Sequence, residues 1–289
     1  MAYTPGTDID GMQATLGSLR LGAVDAMGVV WRLQDLEGWD SPEIRAEYQE
    51  READHGSWGA PVYFGSRPIT LSGIVEANSR ADLEAAMERL YEAAAITDTT
   101  LTVWESTPKQ ATVRRSGKVL TKYITDTKAS WSVLVTAEDP RRYSTALETA
   151  STGLPFTSGG VTFPATFPIT FSATTVAGQI TASNIGSMDT RPQLTIAGPV
   201  VAPIVAGQYP DGTVRQLIYT QTLQSGDVLV IDTDAHTVML NGDASRRRFL
   251  KVPSGWPTIG ARSSVTYQFQ AGSYNANALL TATWRSAWM

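Results

Sequence analysis

Apolar residues along much of this chain fall at every second position. Val29, Trp31 and Leu33 share one face of the stretch from Gly28 to Leu33. Ile69, Leu71, Gly73 and Val75 do the same against Thr70, Ser72, Ile74 and Glu76, although Ile74 spoils the polar side. Trp131, Val133, Val135 and Ala137 repeat the pattern. A period of two predicts half-buried strands. Leu101–Trp104 adds another strand, followed by a basic stretch around Arg114, Arg115 and Lys118.

One segment departs from that period. Between Asn78 and Ala95, Leu83, Met87, Leu90, Tyr91 and Ala94 form a stripe at helical spacing. Ser79 with Asp82 three residues on has the form of a capping box, and Asp82 and Glu84 suit the positive end of the helix dipole. The Met/Tyr stripe is core packing, with nothing to suggest a cofactor. Asp139-Pro140 then closes the half, because Pro140 disfavours regular structure through Asp139.

Residues 34–68 carry no clean period. Eight acids (Asp35, Glu37, Asp40, Glu43, Glu47, Glu50, Glu52, Asp54) alternate loosely with Trp39, Ile44, Tyr48 and Trp58. So long a connection inside a compact domain is usually functional or disordered. Its aromatics argue against disorder. The expectation is an extended arm ordered against a neighbouring subunit, with Trp39, Tyr48 and Trp58 as candidate subunit-interface residues.

Residues 146–160 are small and polar, end in Gly159-Gly160, and read as a linker between a domain at 1–145 and another at 161–289. No helix of normal length is expected beyond it. Short runs recur between turn signals: Val161–Phe163, Ile169–Phe171, Gln179–Ala182, Gln193–Ala197, Val214–Thr220, Val228–Asp232, Thr237–Leu240, Val265–Phe269 and Leu279–Trp284. That spacing predicts a β-sandwich or jelly roll. Asp227–Asp232 and Thr237–Leu240 read as a hairpin, and Asn241-Gly242 supplies a tight turn. Val265, Tyr267 and Phe269 are expected to face inward, as are Leu280, Ala282 and Trp284. The fold class is mainly β, with one helix in the first domain.

Composition sharpens the division. Of 289 residues, 42% are hydrophobic and 18% charged, as in ordinary globular proteins. Residues 1–145 hold 15 Lys/Arg against 21 Asp/Glu, whereas residues 146–289 hold 8 against 7. Neither half has the basic surplus of a nucleic-acid binder. With no cysteine, disulfides and thiolate metal sites are excluded. No secretory signal and no membrane span is read in the sequence, so synthesis in a cytoplasm is expected.

Reaction chemistry is sparse. The only histidines, His55 and His236, fall in turn-like contexts, and no G-x-S-x-G elbow accompanies them. Asp232-Thr233-Asp234 is the one local carboxylate pair suited to a hard cation, but it lacks the remaining ligands of a calcium loop. Gly159-Gly160 has no following Lys and helix, so no phosphate loop is present. Arg246-Arg247-Arg248 is the densest basic run and suits an acidic partner or solvent. The expectation is a non-enzyme with no cofactor and no metal.

Several motifs together resemble the siphophage distal tail proteins, a phage tail-tip and baseplate hub family. Residues 69–93 (ITLSGIVEANSRADLEAAMERLYEA) are similar to that family's strand-helix core, and Asp139-Pro140-Arg141-Arg142-Tyr143 to the end of its N-terminal domain. Asn184-Ile185-Gly186, the run from Arg191-Pro192 to Gly198-Pro199, and Gly226 to Asn241-Gly242 follow in the family's order, as do Trp256 and Trp284–Trp288. Pro257-Thr258-Ile259-Gly260 departs from the Pro-Gly-x-Asn usual there.

The resemblance implies a tail-tube-like, ring-forming first domain and a galectin-like sandwich after it. It also implies a virion protein at the distal end of a long non-contractile tail, forming a homo-oligomeric, hexameric ring. Its partners would be the tail tube protein, the tail-tip hub or tail-associated protein and receptor-binding proteins. DNA would pass through the lumen without specific binding, and no membrane is involved; if six acidic first domains line that conduit, part of their surplus acid is expected to face it. Two other readings stand beside this one. One is a carbohydrate-binding adhesin with exposed aromatics and amides; the other is a cell-wall hydrolase with converging carboxylates.

Overall fold

The computed structural model describes residues 4–158 and 174–289. The chain divides into two compact units, residues 1–145 with residue 289, and residues 146–288.

The first unit contains β1 (Ala14–Leu16), β2 (Leu19–Leu21), β3 (Ala23–Val24), β4 (Val30–Glu37), β5 (Ile44–Arg45), β6 (Tyr48–Glu50), β7 (Ser57–Gly59) and β8 (Tyr63–Phe64). After these come β9 (Arg67–Glu76), α1 (Arg80–Ala93), β10 (Thr99–Val103), β11 (Lys109–Arg115), β12 (Leu120–Thr125), β13 (Lys128–Ala137) and β14 (Arg142–Ser144). Strand order is β2-β1-β10-β11-β13-β9-β4-β3, with β12 on the free side of β13. β11 turns the corner: its length pairs with β10, while Arg114 and Arg115 pair with β13.

β9 and β13 run antiparallel over ten residues each, from Arg67 opposite Ala137 to Glu76 opposite Lys128. Ile69, Leu71, Val75, Val133, Val135 and Ala137 are fully buried on the shared inner face. Each large apolar side chain buried this way contributes about 1.5–3 kcal/mol. Trp31 and Trp131 meet edge to face at 6.3 Å. Gly73 lies where they cross: a Cβ there would stand 1.9 Å from the Arg32 carbonyl oxygen and 2.9 Å from the Trp131 ring.

The helix is capped as its sequence predicts. Ser79 Oγ accepts from the Asp82 N–H at 3.2 Å, and Leu83, Ala86, Met87, Leu90 and Ala93 face the core. The helix ends at Ala93, and the Ala94 N–H still donates to the Leu90 carbonyl.

The arm is shorter than expected. Gln34–Glu37 complete β4, and Arg67 and Pro68 begin β9, because the ladder between these strands extends to Glu37 opposite Thr70. What projects is a hairpin with two rungs, β5 on β8 and β6 on β7.

The second unit contains β15 (Glu148–Gly153), β16 (Phe156–Ser158), β17 (Thr174–Val176), β18 (Gln179–Asn184), β19 (Gln193–Ala197), β20 (Val200–Val201), β21 (Ile204–Gln208) and β22 (Val214–Tyr219). It continues through β23 (Thr222–Leu223), β24 (Val228–Asp232), β25 (Thr237–Leu240), β26 (Ala244–Ser245), β27 (Leu250–Lys251), β28 (Ser263–Gln270) and β29 (Leu279–Trp284). Two sheets, β15-β29-β19-β24-β25-β26 and β18-β28-β21-β22-β27, share one core. Leu194, Ile196, Leu229, Ile231, Leu280 and Ala282 come from the first sheet. Ile180, Val205, Leu217, Val265, Tyr267 and Phe269 come from the second.

Residues 148–153, read above as linker, form an edge strand on β29 from Glu148 opposite Trp284 to Gly153 opposite Leu279. Small polar residues are as suited to an edge strand as to a connector, and alternation alone does not separate them. The strands expected at Val161–Phe163 and Ile169–Phe171, and Gly159-Gly160, lie outside the described residues.

Candidate interaction surface

At the base of the arm, polar groups are gathered by strands far apart in sequence. Trp39 is 2% exposed, and its Nε1 donates to Glu105 Oε1 at 2.6 Å. Lys109 Nζ ion-pairs with the same carboxylate, and Arg142 Nη1 lies 3.8 Å from it while its guanidinium lies 5.3 Å from the Trp39 ring centroid. Burial opposes ionisation of Glu105. Hydrogen bonds from Lys109 and Trp39 and the charges of Lys109 and Arg142 outweigh that, so its carboxyl sits below the ordinary range.

Arg67 is fully buried on the inner face of β9. It donates to the carbonyls of Gly38 and Trp39 on one side and to that of Pro140 on the other. Burial and then the nearby Arg142 push its pKa down to about 10, which leaves it charged at neutral pH. The two ends of the arm, at Gly38-Trp39 and at Arg67, are therefore fastened to each other and to the end of the unit's last long strand.

Beyond that base the hairpin is mostly exposed. Ile44, Tyr48, Trp58, Val62 and Tyr63 are each more than half exposed. Arg51 stacks over Trp58 at 4.5 Å and lies 3.6 Å from Asp54. A shallow groove of about 560 Å³ runs between its two sides, lined by Arg45, Ala46, Glu47, Ala60, Pro61 and Tyr63. Charge is concentrated here. Residues 38–66 hold six acids against Arg45 and Arg51, so the projecting arm carries four of the six surplus negative charges of residues 1–145.

The candidate interface residues therefore separate. Tyr48 and Trp58 stand exposed on the hairpin, 66% and 65%, whereas Trp39 is buried inside its own unit. The difference lies in Glu105, 66 residues away, whose pairing with Trp39 no local pattern announces.

The second unit uses its polar residues for construction. Asn184 is 2% exposed; its Nδ2 donates to the carbonyls of Met188, Ile259 and Gly260, and its Oδ1 accepts from the N–H groups of Gly186 and Ala287. This explains the Asn-x-Gly motif: a Cβ at Gly186 would stand 1.8 Å from the Ala287 carbonyl oxygen. Asp232 caps its own turn, accepting from the N–H groups of Asp234 and Ala235, and Asp234 pairs with Arg191. Among the described residues no three His, Asp or Glu side chains gather at metal-binding distance.

His55 is exposed at the tip of the arm, and His236 stacks on Trp256 at 4.4 Å with rings 8° apart. Arg247 lies 5.0 Å from the same indole, and Arg246 and Arg248 lie over Phe249. The three arginines thus rest on aromatic rings of their own unit. On the outer face of the second sheet, Gln179, Gln268 and Gln216 share one row across Ala206, with Gln208 and Gln270 in flanking rows. Gln268 Nε2 donates to Gln208 Oε1 at 3.2 Å. No helix among the described residues is long and apolar enough to cross a membrane.

Residues 185–288, the greater part of this sandwich, match the family model described as "Siphovirus-type tail component, C-terminal domain". No curated protein matches the chain in sequence. The crystal structure titled SPP1 Dit (gp 19.1) protein, "a paradigm of hub adsorption apparatus in Gram-positive infecting phages", is similar over the length of both chains. The TM-score is 0.66 at 12% identity, over 97% of this chain and 100% of that one. Two structures of the phage P2 baseplate in its activated conformation, with Ca and with Sr, give TM-scores of 0.48 and 0.47 at 9% and 10% identity. Each covers 92% of this chain and 100% of its own. The family match thus covers residues 185–288, and the likeness over the full length, to the SPP1 Dit structure, is one of fold.

Proposed function

We propose that the chain forms a homo-oligomeric, hexameric ring at the distal end of a long non-contractile tail, joining the tail tube to tail-tip and baseplate proteins. The observation that carries this reading is the acidic hairpin, which exposes Ile44, Tyr48, Trp58 and Tyr63 without a core of its own. An isolated two-stranded hairpin is marginally stable in water, so one kept with this much apolar surface serves a contact. In this reading the first unit makes the ring and the arm reaches a neighbouring copy through Tyr48 and Trp58. The protein is a scaffold without catalysis or cofactor. It is made in the host cytoplasm and placed in the virion at the tail tip, where receptor-binding proteins attach. DNA passes the lumen without specific contact. Most of the surplus acid lies on the arm, so a conduit lined by the sheets would be nearly neutral rather than strongly acidic.

Sedimentation velocity on the full chain over a concentration series tests the ring. A species of six copies is the expected result, and a monomer at every concentration would contradict it.

A second reading, a glycan-binding adhesin, is favoured by the glutamine rows on the outer sheet face. Amides hydrogen-bond sugar hydroxyls, but the same rows carry no aromatic platform, and Trp256 is already occupied by His236 and Arg247. Binding of the full chain to immobilised host cell-wall glycans, abolished by Gln208→Ala with Gln268→Ala, would establish it.

A further inference from the structure

The arm's counterpart is present on the same unit, at the opposite side of the sheet. β12 pairs only with β13, so among the described residues its second edge is open. Open edges offer unpaired N–H and C=O groups and are normally covered or blunted. This one carries Lys122 and an irregularity but, among the described residues, no covering strand. Leu120, Tyr123 and Ile124 are 62%, 42% and 55% exposed, and Ile124 is the extra residue of an irregularity between Tyr123 and Thr125.

Its charge is the inverse of the arm's. Residues 114–128 contain Arg114, Arg115, Lys118, Lys122 and Lys128 against the single acid Asp126. Arg114 is paired with Asp98 and Glu138, and Lys128 with Glu76. Lys118 and Lys122 are exposed and have no carboxylate partner among the described residues. The arm, between β4 and β9, presents Glu43, Glu47, Glu50, Glu52 and Asp54 around Ile44, Tyr48 and Trp58. One surface is acidic and apolar, the other basic and apolar. They lie on different strands of one sheet, in the order β12-β13-β9-β4. Two unlike, complementary patches on one chain make a head-to-tail contact, the kind that generates closed rings.

We infer that the acidic hairpin of one copy docks along the open β12 edge of the next, with its carboxylates facing Lys118 and Lys122 and its aromatics facing Leu120 and Ile124. The inference rests on the ring reading above and names the surface that receives the arm. Because the contact is partly electrostatic and solvent-exposed, added salt weakens it.

The absence of cysteine makes the test direct. Gln49→Cys and Ile124→Cys, made in separate chains, keep every charge. Mixed and treated with a short bismaleimide, they are expected to give a covalent dimer several-fold above a mixture of Gln49→Cys with Asp243→Cys. Equal yields overturn the proposal. Lys118→Glu with Lys122→Glu is expected to weaken assembly about tenfold or more, and Glu47→Lys with Glu50→Lys in the same chain to restore it. Assembly unmoved by the lysine reversal overturns the proposal too. Replacing residues 43–65 by a short Gly/Ser loop separates the two failures. If that loss disperses the assembly while the lysine reversal does not, the arm reading stands and its receiving surface lies elsewhere. If assembly survives without the arm, both fall.

Discussion

Arg67 donates from Nε and Nη2 to the carbonyl of Pro140, 73 residues further on, at 2.9 and 2.7 Å. Its third nitrogen, Nη1, serves the carbonyls of Gly38 and Trp39. One buried guanidinium thus joins the start of the arm, its end and the close of the domain. Arg67→Met fills similar space but leaves these buried acceptors unpaired, and is expected to cost about 3 kcal/mol or more. Chemical denaturation of the full chain measures it, and an unchanged midpoint would show that the carbonyls find other donors.

Glu105 makes the same region pH-dependent. Its folded pKa lies below the ordinary 4.5, so its contribution is present above that value and fades as pH falls through the lower, folded one. Glu105→Gln is therefore expected to reduce the thermal midpoint at neutral pH and to approach the parent chain as pH falls below the ordinary carboxyl range. Parallel melting curves of constant separation from pH 7 to pH 3 would sink this assignment.

The three arm aromatics should behave differently on truncation. Trp39→Ala removes a buried indole and one hydrogen bond to Glu105, which keeps Lys109, with an expected loss of about 3–5 kcal/mol. Tyr48→Ala and Trp58→Ala touch exposed side chains and should shift stability by about 0.5 kcal/mol or less, while weakening assembly. Comparing melting with sedimentation for all three decides the matter. A stable, assembling double Tyr48→Ala/Trp58→Ala variant would remove these residues from the interface.

In the second unit, Asn184→Asp tests the polar hub with almost no change of shape. The carboxylate replaces a donor amide facing three carbonyl oxygens, so an expected loss of about 3 kcal/mol or more follows from desolvated repulsion. Unfolding of the full chain, followed through Trp284 and Trp256 fluorescence, measures it. A neutral effect would mean that water enters beside Met188 and Gly260.

Much of this was legible because it is local. The stripe Leu83-Met87-Leu90, the Ser79 cap and the alternation through Trp131–Ala137 each depend on near neighbours, and they recur as read. The same holds for the hairpin ending at Asn241 and Gly242, whose φ angles of 52° and 81° are those of a tight turn. The burial of Trp39 has no local signal, because it depends on Glu105 and Arg142, far along the chain. The run 148–153 has no signal of its own, because small polar residues suit an edge strand and a connector equally. The receiving edge at β12 was visible only as a basic stretch: nothing in the sequence says which strand ends a sheet.

The clamp at Arg67 has a consequence for how such a protein can diversify. Whatever lies between Glu43 and Ser66 is held at its base by main-chain carbonyls, which any residue supplies, while the core, Trp39 included, is closed without it. The hairpin is accordingly an interchangeable cassette. Its length and lettering can drift to suit a new neighbour without retuning the scaffold, provided the buried arginine and its short list of acceptors stay in place.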